Sequence, residues 1–131
     1  MNGDKEAALH YYVQSQIGKP FEYGVNDCAL FSAGAIDTIA DTSLRDELTG
    51  LWNDKESAIA YEQEHSIEDY LKERFTPVAE NHAQTGDVVL IDVNGWTSTS
   101  ICMGSKIAFL MDDGVQIQSI RTLPIKGIYR V

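Results

Sequence analysis

The sequence is poor in the features that mark several common protein classes. It holds 2 cysteines in 131 residues, too few for a disulfide scaffold. It has 3 prolines, and no Pro-, Gly- or Ser-rich stretch that reads as a linker, so one domain over residues 1–131 is expected. Basic residues are scarce: 10 Lys plus Arg stand against 20 Asp plus Glu, for a net charge of −10. That balance argues against binding to nucleic acid or an anionic membrane, both of which need a basic surface. No apolar run approaches the roughly 20 residues needed to cross a bilayer. The opening MNGDKEAALHYYV lacks a positive segment followed by an apolar one, so no signal peptide is expected. A chain made in a cytosol with reduced thiols is the expectation; action outside a cell would require delivery by something else.

What is present is an ordinary globular composition, 44% apolar and 23% charged. Asp4 is a candidate cap for a first helix, with Ala7, Leu9, Tyr12, Val13 and Ile17 on its apolar face and Gly18 and Pro20 ending it. From Cys28 to about Ala40 nearly every residue is small or apolar, the pattern of a central buried helix. Thr42 to Phe75 is polar and helical in pattern, with caps at Asn53 or Asp54 and at Ser66, the last forming a loose capping box with Asp69. Beyond Pro77 the period changes to alternation. GDVVLIDV, TSICMG, KIAFLMDD, GVQIQSI and KGIYRV read as five strands separated by turn signals. Helices followed by a strand meander make an α+β domain, its N-terminal helices packed on a C-terminal antiparallel sheet.

The chemistry centres on YGVNDCALF. Cys28 directly follows a turn and opens a helix, where unpaired N–H groups and the helix dipole favour a thiolate; the free thiol has a pKa of about 8.5. A small buried core residue is the competing reading, because free cysteine is among the most buried residue types. Local context leaves both open.

GKPFEYGVNDCALFSAGAIDTI, followed by TGDVVLIDVNGWTSTSICMG, resembles the NlpC-type cell-wall peptidases of papain-like fold, and within them a small phage-encoded branch of tail-tip and tail-assembly proteins. The likeness runs from about Gly18 to Val131 and is anchored on Tyr23, Gly24, Asp27, Cys28, Gly86 and Asp87. It implies Cys28 as nucleophile and Tyr23 as a residue beside the oxyanion. The family's general base, a histidine at the start of the second strand, falls on Ser98, and the residue that would orient it falls near the apolar Leu110, with Asp112 the nearest polar group.

None of the three histidines is an evident replacement. His10 and His65 lie in helical stretches and read as surface residues. His82 precedes the first strand of the antiparallel pair, whereas the base belongs beside its far end; at about 3.3 Å per residue, that is roughly 20 Å away. Without a base, a thiol of ordinary pKa is only slightly ionised at neutral pH, and nothing protonates a leaving amine.

Cys102 shares a strand face with Ser98 and Ser100, and the family fold would turn that face towards the Cys28 helix. A disulfide or shared metal is thereby conceivable, but zinc wants four ligands and two thiols are all that can be named; a core role is the simpler reading, and no metal or cofactor is expected. The adjacent Asp112 and Asp113 before Gly114 read as a hairpin turn rather than a calcium loop.

The resemblance thus implies a structural or assembly protein of a phage tail tip, baseplate or hub, which keeps the peptidase fold without its full catalytic set. Its partners would be other tail proteins, its location the virion. An active cysteine peptidase or amidase cutting peptidoglycan peptides during genome delivery is the alternative. A module that binds such a peptide without cutting it is a third.

Overall fold

The computed structural model describes all 131 residues. Five helices precede and flank an antiparallel sheet. They are α1 (Gly3–Gln16), α2 (Cys28–Ala40), α3 (Leu44–Leu48), α4 (Lys55–Glu64) and α5 (Ile67–Arg74). The strands are β1 (Thr76–Pro77), β2 (Val88–Val93), β3 (Trp96–Cys102), β4 (Lys106–Met111), β5 (Gly114–Ser119) and β6 (Ile125–Arg130), with a single 3₁₀ turn at Glu80–His82. The sheet order is β1-β6-β2-β3-β4-β5. The α+β architecture, helices packed on an antiparallel sheet, is therefore as the period change implied. No helix is long and apolar enough to cross a membrane.

The five alternating segments are all strands. The additional one, β1, is two residues long and pairs only with the end of β6, so no alternation could have marked it. The first helix differs from expectation at both ends. Its cap is Asn2, whose Oδ1 accepts from the Lys5 N–H at 2.9 Å, and not Asp4. Ile17, assigned to its apolar face, lies beyond the helix and is 50% exposed. The buried stripe is Leu9, Val13 and Gln16, which fits helical spacing better. Of the two candidates Asn53 and Asp54, it is Asp54 that caps α4, and Ser66 caps α5 as the sequence indicates.

The core divides by sheet face. Leu9, Ala33, Ile36, Leu71, Val88, Leu90 and Ile101 join the helices to one face. On the other, Val89, Ile91, Cys102, Ile107, Phe109 and Ile128 form a cluster of strand residues, covered by Val78, Ala83, Ile120 and Leu123 from loops. Helix α2 is the hub. Its Gly34 lets the Tyr12 ring of α1 pack directly on its backbone: a Cβ there would lie 2.2 Å from the Tyr12 hydroxyl. That hydroxyl donates to Phe31 O at 2.7 Å, and burial pushes the Tyr12 pKa up to about 12. Arg45 of α3 donates to Tyr12 Oη and Leu30 O, fastening α3 across the same helix.

One irregularity of the sheet positions the site. β3 pairs with β2 from Trp96 to Ile101, but with β4 only at Ile101–Ala108 and Cys102–Ile107. The two strands part before Ser100, and the N-terminus of α2 meets β3 where they part.

Candidate functional site

The turn ahead of α2 is built around one carboxylate. Asp27 caps the helix through Oδ1, which accepts from Leu30 N–H at 3.0 Å. Its Oδ2 accepts from Gly24 N–H at 2.8 Å and from Trp52 Nε1 at 2.6 Å. Gly24 is required twice over: its φ is +79°, and a Cβ would sit 1.9 Å from the Trp52 carbonyl oxygen. The Tyr-Gly-x-x-Asp-Cys spacing thus folds into a closed turn that seats Trp52, a residue 25 positions away from Asp27.

Cys28 follows as the first residue of α2, at the floor of a groove of about 190 Å³. One wall carries Phe21 and Tyr23, packed edge to face with centroids 4.8 Å apart. Trp52, Tyr61, His65 and Tyr70 also line the groove, together with Thr97, Ser98 and Thr99 of β3. No lysine or arginine lines the groove; Glu62 and Asp27 are its acidic members.

The thiol is committed to the backbone of β3. Cys28 Sγ donates to Thr99 O at 3.1 Å and lies 3.5 Å from Thr99 Oγ1, while the Thr99 hydroxyl donates to Cys28 O at 3.2 Å. Because β4 has already parted from β3, the Thr99 carbonyl lacks a strand partner on that side; the cysteine S–H takes the partner's place. Burial is the main cause that pushes the thiol pKa up; the Thr99 hydroxyl and backbone oppose it, the Asp27 carboxylate adds to it, and the Ser98 hydroxyl opposes it least. Of the two readings left open for Cys28, the bond to Thr99 and the raised pKa favour the protonated thiol. The helix N-terminus favours an anion, but Asp27 is already the anion that occupies it.

The other residues singled out in the sequence fall as follows. Tyr23 stands in the groove, its phenol pKa raised by burial, with the Asp112 and Asp27 charges adding. Ser98 also lines the groove, yet the residue bonded to Cys28 is its neighbour Thr99. Leu110 is fully buried with Val13, Phe31 and Ala108, so no polar group orients a base from that position; Asp112 is exposed in the β4–β5 turn. Cys102 packs in the cluster on the far face of the sheet and donates to Gly104 O at 3.3 Å. It is not turned towards α2: within β3 it is Thr99 and Ile101 that face the helices, and both cysteines are free. His82 sits in the 3₁₀ turn, its carbonyl accepting from Arg130, while Ser98 pairs with Ile91 towards the opposite end of β2.

His65 is the residue that sequence reasoning missed. It is the C-cap of α4, and its ring stacks 4.7 Å from Tyr61, which in turn lies 5.1 Å from Trp52. It is exposed and lines the groove that holds Cys28, but the thiol's hydrogen bonds go to Thr99. The signal available was the i, i+4 spacing of Tyr61 and His65, which places both rings on one helix face.

The second motif, Gly86-Asp87, lies outside the groove. Asp87 is buried, accepts from Gln84 N–H at 2.9 Å, and receives Arg130 through Nε at 3.0 Å and Nη2 at 2.9 Å. It ties the entry of β2 to the end of β6.

This helix-and-sheet arrangement, with a cysteine opening the central helix against a strand, is the NlpC/P60 type of fold. The P60 domain of the M. avium paratuberculosis antigen MAP1272c superposes with a TM-score of 0.55 at 16% identity, over 98% of this chain and 93% of that one. RipD (Rv1566c) of Mycobacterium tuberculosis, described as a non-catalytic NlpC/p60 domain protein adapted to a peptidoglycan-binding function, superposes with a TM-score of 0.52 at 16% identity, over 99% of both chains. The chain belongs to the family described as "Domain of unknown function (DUF6950)", whose model matches residues 2–131. No curated protein matches it.

Proposed function

We propose that this protein is a catalytically degenerate member of the NlpC/P60 fold that holds a peptide in its groove without cutting it, and that it serves as a structural or assembly component of a phage tail tip. The observation that carries the non-hydrolytic reading is the state of Cys28: its S–H is given to the Thr99 carbonyl, its pKa is raised, and Ser98 stands where a base is expected. A nucleophile needs the reverse, a lowered pKa or a base in contact. Binding without cleavage is supported by the groove itself, which keeps five aromatic side chains, Phe21, Tyr23, Trp52, Tyr61 and Tyr70, although its catalytic set is incomplete. The non-catalytic, peptidoglycan-binding description of RipD supplies a precedent on the same fold. The tail-tip setting rests on the likeness of GKPFEYGVNDCALF to the phage-encoded branch.

Calorimetric titration with soluble muropeptides tests the binding reading. Tyr61→Ala and Tyr70→Ala, on the groove wall, are expected to weaken affinity roughly tenfold, the scale of a lost aromatic contact. Absence of binding by the wild type would remove the peptide from the account. In a tail, the protein is expected to co-purify with particles, and Cys28→Ala is expected to leave infectivity intact.

His65 favours a second reading, because it lines the same groove as the cysteine. A movement of the α4–α5 wall that brought its imidazole to Cys28 would restore a base, and the protein would then be a peptidase or amidase. Hydrolysis abolished by both Cys28→Ala and His65→Ala would establish that reading.

A further inference from the structure

The two edges of the sheet are treated differently. One edge is β1, two residues long and ending in Pro77, a common way of blunting an edge. The other is β5, six residues long, with the sequence GVQIQS: no charge, no proline and no bulge in its pairing with β4. Long uncharged edges of this kind are templates for a further strand. Ile117, at the middle of β5, is 44% exposed and borders a cavity of about 140 Å³ lined by His10, Val13, Gln14, Met103 and Lys106.

The register fixes which backbone groups face outwards. Lys106 pairs with Ser119, and one step beyond, Ile120 N–H donates to Ser105 O. Groups alternate along an antiparallel strand, so Gln118, Gln116 and Gly114 turn their N–H and C=O to β4. Val115, Ile117 and Ser119 turn theirs to the open edge.

We propose that β5 pairs antiparallel with β5 of a second copy of this chain about a two-fold axis at Ile117. In that register Ile117 exchanges both backbone hydrogen bonds with its symmetry mate, and Val115 meets Ser119. The two Ile117 side chains share one face, over the apolar lining given by Val13 and Met103. Gln116 meets Gln118 on the other face. The register also opposes the strand's charged ends. Asp112 and Asp113 lie in the turn before β5 and Arg121 in the turn after it, so each acidic turn meets the partner's arginine. Arg121 is exposed and forms no ion pair within its own chain. This charge complementarity selects a second copy over an arbitrary strand, and an isologous contact of this kind closes as a dimer. The inference is independent of what the groove binds.

Sedimentation velocity over a wide concentration range at physiological ionic strength tests it; there a Debye length of about 8 Å screens the net charge of the two copies beyond local contacts. A monomer–dimer equilibrium is expected, with amide exchange at Ile117 slowing as concentration rises while that at Gln118 stays constant. Ile117→Pro removes an N–H that β4 does not use, so the monomer keeps its circular dichroism while the dimer is lost. Arg121→Asp should weaken the dimer roughly tenfold or more, because it replaces two attractive cross-strand contacts by repulsive ones. The double change Asp113→Arg with Arg121→Asp should restore much of the loss. A wild-type protein that stays monomeric into the millimolar range would overturn the proposal. So would a dimer indifferent to Ile117→Pro and to Arg121→Asp.

Discussion

Two buried aspartates, Asp27 and Asp87, each follow a short motif containing a left-handed glycine, and each joins segments distant in sequence. Asp87 does so with charge: Arg130 reaches it through two nitrogens and keeps its own side chain partly in water. Asp27 does so with neutral donors, the N–H groups of Gly24 and Leu30 and the Trp52 indole, none of which has another acceptor close by. The contrast shows what the motifs are for. Gly24, Asp27 and Asp87 are among the residues that carry the likeness to the peptidases, and each has a structural task here that needs no catalysis. Position 98, where the resemblance to the peptidases puts a histidine, is serine.

Loss of Asp27 should therefore cost more than loss of Asp87. Asp27→Ala strands buried donors and removes a helix cap, a destabilisation of roughly 4 kcal/mol in thermal or urea unfolding. Asp87→Ala frees a guanidinium that can turn to water and strands little beyond Gln84 N–H, so roughly 2 kcal/mol is expected. The reverse order would break the comparison. Gly24→Ala, with its Cβ against the Trp52 carbonyl at positive φ, should cost roughly 3 kcal/mol. Gly50→Ala, also at positive φ but in open space, should cost about 1 kcal/mol and serves as the control.

Smaller effects sharpen the account of Cys28. If its S–H serves the Thr99 carbonyl, Cys28→Ser keeps a donor and should be more stable than Cys28→Ala by about 1 kcal/mol. Equal stabilities would mean that the bond is incidental. The raised thiol pKa also has a sign in pH. Below the ordinary thiol range the folded and unfolded chains are both protonated, and the contribution to stability is complete. As pH rises through that range the unfolded thiol ionises first, and the contribution declines. Alkylation of Cys28 by iodoacetamide should accordingly be slow at neutral pH and accelerate only above the ordinary thiol range. An inflection near pH 6 would indicate an imidazole partner.

Much of this was legible in one sequence. The change from helical to alternating period located β2 to β6, and the small, apolar run after Asp27 marked α2 as central, because a helix apolar on nearly every side has no face suited to water. Local rules reached the Asp54 and Ser66 caps for the same reason: a cap is settled within four residues. They failed at α1, where Asn2 and Asp4 are both competent caps and the helix starts at the earlier one. Long-range facts were out of reach. That β4 leaves β3 before Ser100 depends on the wedge of α2, so the exchange of Thr99 for Ser98 as the partner of Cys28 had no local signature. Placing His65 in the groove required knowing that Trp52 is pulled to Asp27 and that α4 follows it.

The central claim is that this corner no longer cuts. Release of soluble muropeptides from purified peptidoglycan, by the wild type and by Cys28→Ala side by side, tests it most directly. The account predicts no release above background from either protein, with both folded by circular dichroism. Release by the wild type that disappears with Cys28→Ala would contradict it.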